Sequence, residues 1–301
     1  MPNRQTLLRQ FIAAQRLPAS FEALAQTYYL PLIDWIAGQR IMIPDRPLVL
    51  GINGCQGSGK STLAELIAHL LGSGQGWNVA IVSIDDLYLT RSQRSALAAE
   101  VHPLLATRGV PGTHDLGLGQ TLLDTLMQQG RGDCTALPRF DKASDDHLPA
   151  SQWPEVCDAV DLIVLEGWCV GSKPQSPEAL RDPVNELEAL EDTNGRWRQF
   201  VNQSLYNYQP LFARLDKLLL LKAPDFGCVF RWRVLQEEKL AAKQQGAGSS
   251  GAALMSETQI ARFIQHYQRL TQANIAQLPD SADVVFHLNQ HHEISAAFYA
   301  Q

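Results

Sequence analysis

Short, nearly continuous apolar segments alternate along the chain with longer segments in which apolar residues recur every three or four positions. The short segments are typical of strands that helices cover on both faces, and they occupy residues 48–52, 79–84, 162–165, 218–221 and 284–288. The longer segments have helical spacing and occupy residues 62–71, 118–129, 195–215 and 256–276. This alternation predicts an α/β fold, a three-layer sandwich built on a mainly parallel sheet.

Two segments lie outside this alternation. Up to about residue 40, the apolar residues Phe21, Leu24, Tyr28 and Leu32 recur at helical spacing, and prolines at positions 44 and 47 then interrupt the pattern. We therefore expect a helical N-terminal extension over residues 1–46 and one larger domain over residues 47–301. Further along, QQGAGSSG (244–251) predicts a flexible connection between two helices.

Composition and charge narrow the class of protein. Of the 301 residues, 45% are hydrophobic and 19% are charged, which is typical of a globular protein. The 25 Lys and Arg residues and the 31 Asp and Glu residues give a net charge of −6, so there is no basic excess for binding nucleic acid. No apolar run approaches the ~20 residues that span a bilayer. We therefore expect neither nucleic acid nor a membrane as a partner.

The five cysteines are widely spaced and form no C-x-x-C pair. This pattern predicts neither a disulfide framework nor a zinc site, and it favours a reduced compartment. Arg4, Arg9 and Arg16, with no acidic residue before Glu22, slightly favour an organellar presequence. The apolar spacing of the same segment is that of an ordinary amphipathic helix, however, and we predict a cytoplasmic protein.

The strongest local signal is GCQGSGKS (54–61), which matches G-x-x-x-x-G-K-[ST] between an apolar strand and a helix. Glycines in such a loop let backbone N–H groups face a phosphate at a helix N-terminus. Lys60 would reach the β- and γ-phosphates, and the Ser61 hydroxyl would coordinate Mg²⁺. The alternative is a chance glycine-rich turn. The residues predicted to bind the nucleotide are Gly54, Cys55, Gln56, Gly57, Ser58, Gly59, Lys60, Ser61 and Thr62.

Acidic residues stand at the ends of two predicted strands. SIDDLY (83–88) follows the second strand, and ligands of open α/β sheets bind beyond the carboxyl ends of the strands. Asp85 is favoured as the proton acceptor of an attacking hydroxyl, or as a ligand of Mg²⁺ through water. Asp86 is instead the expected helix cap. DLIVLEGW (161–168) leads to Glu166, the acid of a Walker B pattern, which would order the waters around Mg²⁺.

Two polar loops are candidate walls of a substrate site. The loop RGVPGTHDLG (108–117) contributes Arg108, His114 and Asp115, and the loop PRFDKASDD (138–146) contributes Arg139, Asp141 and Lys142. Binding residues concentrate in loops on a rigid sheet, and arginine suits bidentate recognition of a carboxylate or phosphate. The alternative is that these residues satisfy turns, with Asp115 capping the helix that starts near residue 116.

A basic segment follows the fourth strand. FRWRVLQEEK (230–239) contains Arg231 and Arg233, which could fold over the triphosphate and stabilise charge on the transferred group. Residues two positions apart do not share a helix face, so one arginine would act while the other forms an ion pair. With the glycine-serine connection behind it, this segment predicts a mobile lid over about residues 225–255.

Cys55 lies inside the phosphate loop, where helix-terminal N–H groups can stabilise a thiolate. One hypothesis is therefore a reactive thiol that bulky reagents modify and that bound nucleotide protects. The alternative is a small residue that fills the turn.

In this order, the segments resemble those of D-glycerate 3-kinases of the plant and fungal type, which belong to the P-loop kinases with uridine kinase, pantothenate kinase and phosphoribulokinase. The resemblance covers about residues 48–278 and rests on GxxGxGKS, SIDDLYL, RGVPGTHDL, PRFDKA, VLEGW and FRWRVLQEEK. It implies a P-loop NTPase fold with ATP and Mg²⁺ as cofactors. The implied catalytic residues are Lys60, Asp85, Arg231 and Arg233, and the implied metal site is Ser61, Asp85 and Glu166. Where the plant-type sequences continue with a Gly/Arg-rich stretch, this chain has SDDHLPASQW (144–153) and departs from the pattern.

The leading hypothesis is an ATP-dependent kinase that phosphorylates D-glycerate to 3-phosphoglycerate and is a monomer or a homodimer. One alternative is a kinase for another metabolite hydroxyl, in a nucleoside, a sugar phosphate or pantothenate. A second alternative is a nucleotide-dependent switch or ATPase with a protein partner. The aspartates of SIDDLY and the Arg/His loops weigh against the switch, because they suit an enclosed small-molecule acceptor.

Overall fold

The computed structural model describes residues 3–247 and 255–300. Its α-helices are α1 Arg4–Gln15, α2 Ser20–Leu24, α3 Leu30–Ile41, α4 Lys60–Gln75, α5 Arg91–Glu100, α6 Leu116–Gln128, α7 Glu186–Glu191, α8 Arg196–Phe212, α9 Phe226–Ala247 and α10 Glu257–Gln277. Its strands are β1 Leu48–Gly54, β2 Val79–Ser83, β3 Cys134–Ala136, β4 Phe140–Asp141, β5 Asp146–His147, β6 Glu155–Cys157, β7 Leu162–Gly167, β8 Lys217–Lys222, β9 Val284–Leu288 and β10 Ile294–Tyr299. Every strand and helix predicted from the sequence is present. The predicted glycine-serine connection and lid fall partly on residues 248–254, which lie outside the described residues.

Six strands form one sheet in the order β10-β9-β8-β1-β7-β2. Neighbouring strands are parallel except at one edge, where β10 pairs antiparallel with β9. The strand before the phosphate loop, β1, is central, and its residue Leu50 pairs with Val164 of β7 and with Lys217 of β8. Because β1, β2 and β7 are parallel, their carboxyl ends lie along the same edge of the sheet. The three motifs that follow them are therefore brought together.

Helices cover both faces of the sheet because its central strands are apolar on both faces. Val49 and Ile163 face a core that includes residues of α6, α8 and α10. Leu50 and Val164, one position further along their strands, face a second core that includes residues of α1, α3 and α4. This arrangement is a three-layer α/β sandwich with a mainly parallel sheet, and it confirms the predicted fold class.

The N-terminal helices pack on the same face as α4. Leu7, Leu8 and Phe11 of α1 are buried, as the amphipathic spacing predicts. His69 of α4 hydrogen-bonds to the Leu7 carbonyl oxygen across 3.1 Å. The N-terminal helices therefore contribute to the core beneath the phosphate loop. In the described part of the chain, none of the helices combines the length and the hydropathy needed to cross a bilayer.

Several short elements were not predicted. They are the edge strand β10, the small antiparallel pairs β3–β6 and β4–β5, and the helices α5 and α7. Helix α5 had a usable signal, since Thr90 and Gln93 form a capping box at its start. The small strands have two or three residues each, so they carry no periodicity and depend on their tertiary partners.

The prediction that the chain forms no disulfide is wrong. Cys134 and Cys157 are direct neighbours across β3 and β6 and form a disulfide, whereas Cys55, Cys169 and Cys228 are free and buried. Cysteines separated by 23 residues have no recognisable spacing, because their pairing is decided by the register of two strands that come together in the fold. The cytoplasmic location stays a prediction.

Candidate active site

The phosphate loop joins the end of β1 to the start of α4. Gly57 and Gly59 have φ values of +77° and +94°, in the left-handed region that residues with a side chain rarely adopt. Gly59 is the N-cap of α4, and no side chain among the described residues caps that helix. Its first backbone N–H groups are therefore available to an anion. Ser58 Oγ is buried without a hydrogen-bond partner in the described part of the chain, and a phosphate oxygen would satisfy it.

Three further polar groups lie at this loop. Two belong to the phosphate-loop motif and one to the Walker B strand. Ser61 Oγ donates to Glu166 Oε1 across 2.9 Å, which connects the start of α4 to the end of β7. The Glu166 side chain is buried. Lys60 Nζ lies 3.4 Å from the Cys55 carbonyl oxygen, so the ammonium group folds back over the loop. A hydroxyl, a carboxylate and an ammonium group are thus assembled where the sequence predicts the nucleotide.

The hypothesis of a reactive Cys55 thiolate is wrong. Burial raises the pKa of the Cys55 thiol to about 12, although the charge of Lys60 lowers it. The side chain packs into the core beneath the loop instead of facing the free N–H groups of α4. Cys55 therefore fills the turn, as the alternative interpretation predicts.

This placement predicts slow alkylation of Cys55. The thiolate is the reactive form, so at neutral pH Cys55 should react about 10³-fold more slowly than an exposed thiol of ordinary pKa. Iodoacetamide labelling of the native protein, followed by peptide mass spectrometry, measures this rate. Cys134 and Cys157 are an internal control, because they should be labelled rapidly after mild reduction and not before it. Rapid labelling of Cys55 would contradict the buried placement.

Asp85 is held by two donors. Tyr88 Oη donates to Asp85 Oδ1 across 2.6 Å, and Lys142 Nζ donates to Oδ2 across 2.7 Å. Burial opposes ionisation, but the charge and hydrogen bond of Lys142, the hydrogen bond of Tyr88 and the charge of Lys60 together hold the pKa of the Asp85 carboxyl well below its usual range. Asp85 is therefore a carboxylate at neutral pH, placed between the phosphate loop and the loop that carries Lys142.

Asp86 does not cap a helix, contrary to the prediction. Its Oδ1 accepts from the Phe140 backbone N–H across 2.9 Å, and its Oδ2 accepts from Arg139 Nη1 across 3.1 Å. The short 3₁₀ turn that contains it, Ile84–Leu87, is capped by Ser83. Burial raises the pKa of the Asp86 carboxyl, although the Phe140 N–H and Arg139 lower it. Asp86 thus fixes the loop at residues 138–146 to the end of β2.

The loop at residues 108–115 packs against α10. Tyr267 Oη donates to the Arg108 carbonyl oxygen across 2.9 Å. A Cβ on Gly109, whose φ is +110°, would lie 2.6 Å from Tyr267 Oη, so a side chain at this position would push the loop away. Trp168, which follows the Walker B acid by two residues, donates from Nε1 to the Gly109 carbonyl oxygen across 2.9 Å. The loop is therefore fastened beside the phosphate site.

The three predicted substrate cations are each paired with a carboxylate. Their pairs are Arg108 with Asp145, Arg139 with Asp86, and Lys142 with Asp85. Since Asp85 and Asp86 are adjacent and the other carboxylate lies in the same loop as Arg139 and Lys142, all three cations are near the end of β2. The structure therefore brings both polar loops together there.

Two predicted substrate carboxylates are engaged in local structure. Asp115 Oδ1 accepts from the Leu118 N–H across 2.9 Å as the N-cap of α6. The two oxygens of Asp141 accept from the N–H groups of Ala143 and Ser144, each across 3.0 Å. These contacts match the alternative interpretation, in which the residues satisfy a cap and a turn, and their substrate roles stay predictions.

Helix α9 lies directly on the phosphate loop. A Cβ on Gly57 would lie 2.9 Å from Trp232 Cβ, and Trp232 is buried. The arginines on either side of it differ: Arg231 is exposed, whereas Arg233 forms an ion pair with Glu237 across 2.6 Å. This confirms that one of the two arginines forms an ion pair. Which of them acts in catalysis stays a prediction.

Sequence reasoning missed the aromatic residues that connect these motifs. They are Tyr88, Trp168, Tyr208, Trp232 and Tyr267. Tyr88, Trp168 and Trp232 lie inside the quoted motifs, so an aromatic residue within two positions of a charged motif residue was the available signal. Tyr208 and Tyr267 lie within helices, outside the quoted motifs, and gave no local signal.

Comparison with known proteins shows which kinases this chain resembles. No family model matches the chain. The chain is 32% identical over 235 residues to Uncharacterized kinase mug58 of Schizosaccharomyces pombe, which covers 74% of this chain and 79% of that protein. It is 28% identical over 256 residues to the chloroplastic D-glycerate 3-kinase of Arabidopsis thaliana, which covers 80% of this chain and 52% of the plant protein. The chain thus spans about half the length of the plant protein.

A solved structure extends this similarity to the fold. D-glycerate 3-kinase from Cryptococcus neoformans var. grubii matches with a TM-score of 0.73 and 25% sequence identity, over 92% of this chain and 99% of that chain. These similarities and the site geometry show that the chain belongs to the family of P-loop kinases that contains these relatives. The protein is an ATP-dependent small-molecule kinase.

Proposed function

We propose that the protein is a D-glycerate 3-kinase that transfers the γ-phosphoryl group of ATP to a hydroxyl of D-glycerate, with Mg²⁺ as cofactor. The observation that carries this proposal is that three loop cations, one of them paired with Asp85 and the other two with Asp86 and Asp145, lie near the end of β2. A small hydroxy acid needs both kinds of group, cations for its carboxylate and a carboxylate for its hydroxyl proton.

The donor groups of the phosphate loop fit MgATP. The uncapped N-terminus of α4 and the unpaired Ser58 hydroxyl suit phosphate oxygens. Ser61 and Glu166, 2.9 Å apart, offer the oxygen ligands that Mg²⁺ prefers, and Asp85 would complete the set, directly or through water. When bound, Mg²⁺ neutralises charge on the phosphates and orients them. Lys60 would stabilise the charge of the transferred group.

Arg108 is the best-placed clamp for the carboxylate of the acid. Its partner, Asp145, is also paired with the buried Arg94 across 2.8 Å. Asp145 would therefore keep a cationic partner if Arg108 turned to a substrate. Arg139 is less free, because Asp86 and the Pro138 carbonyl oxygen both accept from its Nη1. A planar guanidinium group can donate two parallel hydrogen bonds to a carboxylate.

Asp85 would act on the attacking hydroxyl. In the structure its oxygens are occupied by Tyr88 and Lys142. Lys142 is exposed and can swing away, which would free one oxygen to accept a hydrogen bond from the acceptor. With Lys142 turned away, its charge and hydrogen bond would no longer lower the pKa of Asp85, and burial would raise it. The carboxylate would then be a stronger base, and it would orient the hydroxyl and take up the proton late in the transfer.

The relatives support the substrate class. Proteins named D-glycerate 3-kinase in Arabidopsis and in Cryptococcus match most of this chain. An ADP-release assay over D- and L-glycerate, other small hydroxy acids, uridine and pantothenate tests the proposal. D-glycerate is expected to give the highest kcat/KM, with 3-phosphoglycerate as the product. Preference for an uncharged acceptor would refute the glycerate assignment and leave the kinase assignment intact. Lys60→Ala shows which ADP release belongs to this site.

Removing the carboxylate clamp should weaken binding of the acid alone. In Arg108→Ala, the KM for D-glycerate should rise about tenfold or more, because a bound carboxylate would lose charge-assisted hydrogen bonds, while the KM for ATP stays nearly unchanged. Arg139→Ala tests the second candidate in the same way. The matched control is Arg131→Ala, at an exposed arginine in the turn after α6. Normal binding of the acid by both variants would place the carboxylate elsewhere.

A further inference from the structure

Tyr208, near the C-terminal end of α8, reaches into the loop at residues 108–115. Its side chain is fully buried, and its Oη accepts from the Gly112 N–H across 3.0 Å. The same oxygen lies 2.6 Å from His114 Nδ1. Burial raises the pKa of Tyr208 well above its usual value, so the phenol keeps its proton and remains a donor.

These two contacts determine where the proton of a neutral His114 resides. The Tyr208 oxygen already accepts from Gly112, and no other acceptor for its O–H is present in the described part of the chain. If His114 Nδ1 carried the proton, it would donate to the Tyr208 oxygen, and both the phenol proton and the lone pair of Nε2 would be left unpaired. Tyr208 therefore donates to Nδ1, and the ring proton of His114 is on Nε2.

His114 Nε2 is thus a donor, and it is unsatisfied. The side chain is 5% exposed, and Nε2 has no hydrogen-bond partner among the described residues. Burial lowers the pKa of His114 to about 4, although the nearby charge of Asp85 raises it. The ring is therefore neutral at physiological pH and offers one N–H.

The ring that carries this donor is connected to Asp85 through Tyr88. The rings of His114 and Tyr88 have centroids 5.0 Å apart, and their backbones pair in an isolated bridge. Tyr88 in turn donates to Asp85 across 2.6 Å. The Tyr88 side chain therefore contacts both the His114 ring and the carboxylate that would face the attacking hydroxyl.

We propose that His114 donates its Nε2–H to an oxygen of the acceptor and that Tyr208 is the positioning residue that fixes its tautomer. This donor restricts the class of substrate. The substrate must be an anionic or hydroxylated molecule with an oxygen that accepts a hydrogen bond from the ring N–H. The donor role depends on the proposed function, because that function names the molecule that accepts the hydrogen bond. The tautomer depends on Tyr208, Gly112 and His114 alone.

The tautomer is tested without any substrate. ¹⁵N NMR of the full-length protein labelled at histidine distinguishes a protonated from an unprotonated ring nitrogen. His114 is expected to show protonated Nε2 and unprotonated Nδ1 at neutral pH, and Tyr208→Phe should lose this signature. An imidazolium ring or an Nδ1–H tautomer in the unsubstituted protein would overturn the proposal, even if Tyr208→Phe fails to fold.

The donor is tested with two amide side chains. Glutamine can place an N–H near the position of Nε2, whereas asparagine reaches only the position of Nδ1. His114→Asn should raise the KM for D-glycerate about tenfold or more, with the KM for ATP unchanged, and His114→Gln should have a KM several times lower than His114→Asn. Tyr208→Phe should also raise the KM for D-glycerate more than it lowers kcat. Equal KM values in the two His114 variants would overturn the donor role.

The proposed function can fail separately. If the unsubstituted enzyme does not phosphorylate D-glycerate, the glycerate assignment fails, and the NMR result for His114 is unaffected. The two amide variants are then compared with the acceptor that the ADP-release screen identifies. The donor role stands if that acceptor shows the same difference in KM, and it falls if the two variants bind it equally well.

Discussion

Lys60→Ala is expected to lower kcat by about 10³-fold or more, because it removes a fixed positive charge from the transferred phosphoryl group. The fold should not change. Among the described residues, Lys60 Nζ makes one hydrogen bond, 3.4 Å long, to the Cys55 carbonyl oxygen of its own loop. Alanine is also well tolerated in a helix, and position 60 is the first residue of α4.

Two measurements on the same sample check this prediction. An ADP-release assay gives kcat, and a thermal melt followed by circular dichroism gives the stability. Arg131→Ala, which removes an exposed positive charge away from the site, is the control for a general charge effect. An unchanged kcat in Lys60→Ala would refute catalysis at the phosphate loop. A large fall in melting temperature would assign Lys60 a structural role that its contacts do not suggest.

Asp85→Asn should lower kcat by about 10²–10⁴-fold, the typical cost of losing a group that handles the proton in the transition state. The KM for ATP should change much less, because the substitution acts on the transfer step and not on the phosphate loop. Asparagine has nearly the same shape and can still accept from Tyr88, so the loss would be that of a charge. A two- or threefold fall would show that Asp85 is structural.

Asp86→Asn is the matched control. Its carboxylate is adjacent in sequence but is engaged by the Phe140 N–H and by Arg139. Its loss should loosen the loop at residues 138–146, which would raise the KM for the acid and lower thermal stability more than it lowers kcat. If Asp86→Asn instead abolished turnover and Asp85→Asn did not, the two roles would be exchanged.

Features set by consecutive residues were predictable. The apolar runs at 48–52 and 162–165 predicted β1 and β7, because a strand covered on both faces must be apolar throughout. The phosphate loop was predictable for a similar reason, since its turn needs glycine at fixed positions and its ligands need Lys60 and Ser61 beside them. The parallel order of the strands then placed Asp85 and Glu166 near the loop.

Features set by packing were not predictable. The Cys134–Cys157 disulfide depends on the register of two three-residue strands, and Cys55 lost its expected reactivity because its side chain points into the core. Asp86 became a clamp for Arg139 because the loop at 138–146 folds back onto β2. In each case, the deciding partner lies more than twenty residues away in sequence.

The sequence by itself therefore determined the fold class, the phosphate loop and the types of residue in the two polar loops, because local periodicity and motif spacing act over a few residues. Only the tertiary structure decided which of those residues are free and which are engaged. His114 illustrates the difference: its presence in the loop is a matter of sequence, but its role as a donor depends on Tyr208, 94 residues further along. A hydrogen bond assigns a proton to one atom only when both partners are in place, and α8 supplies the second partner.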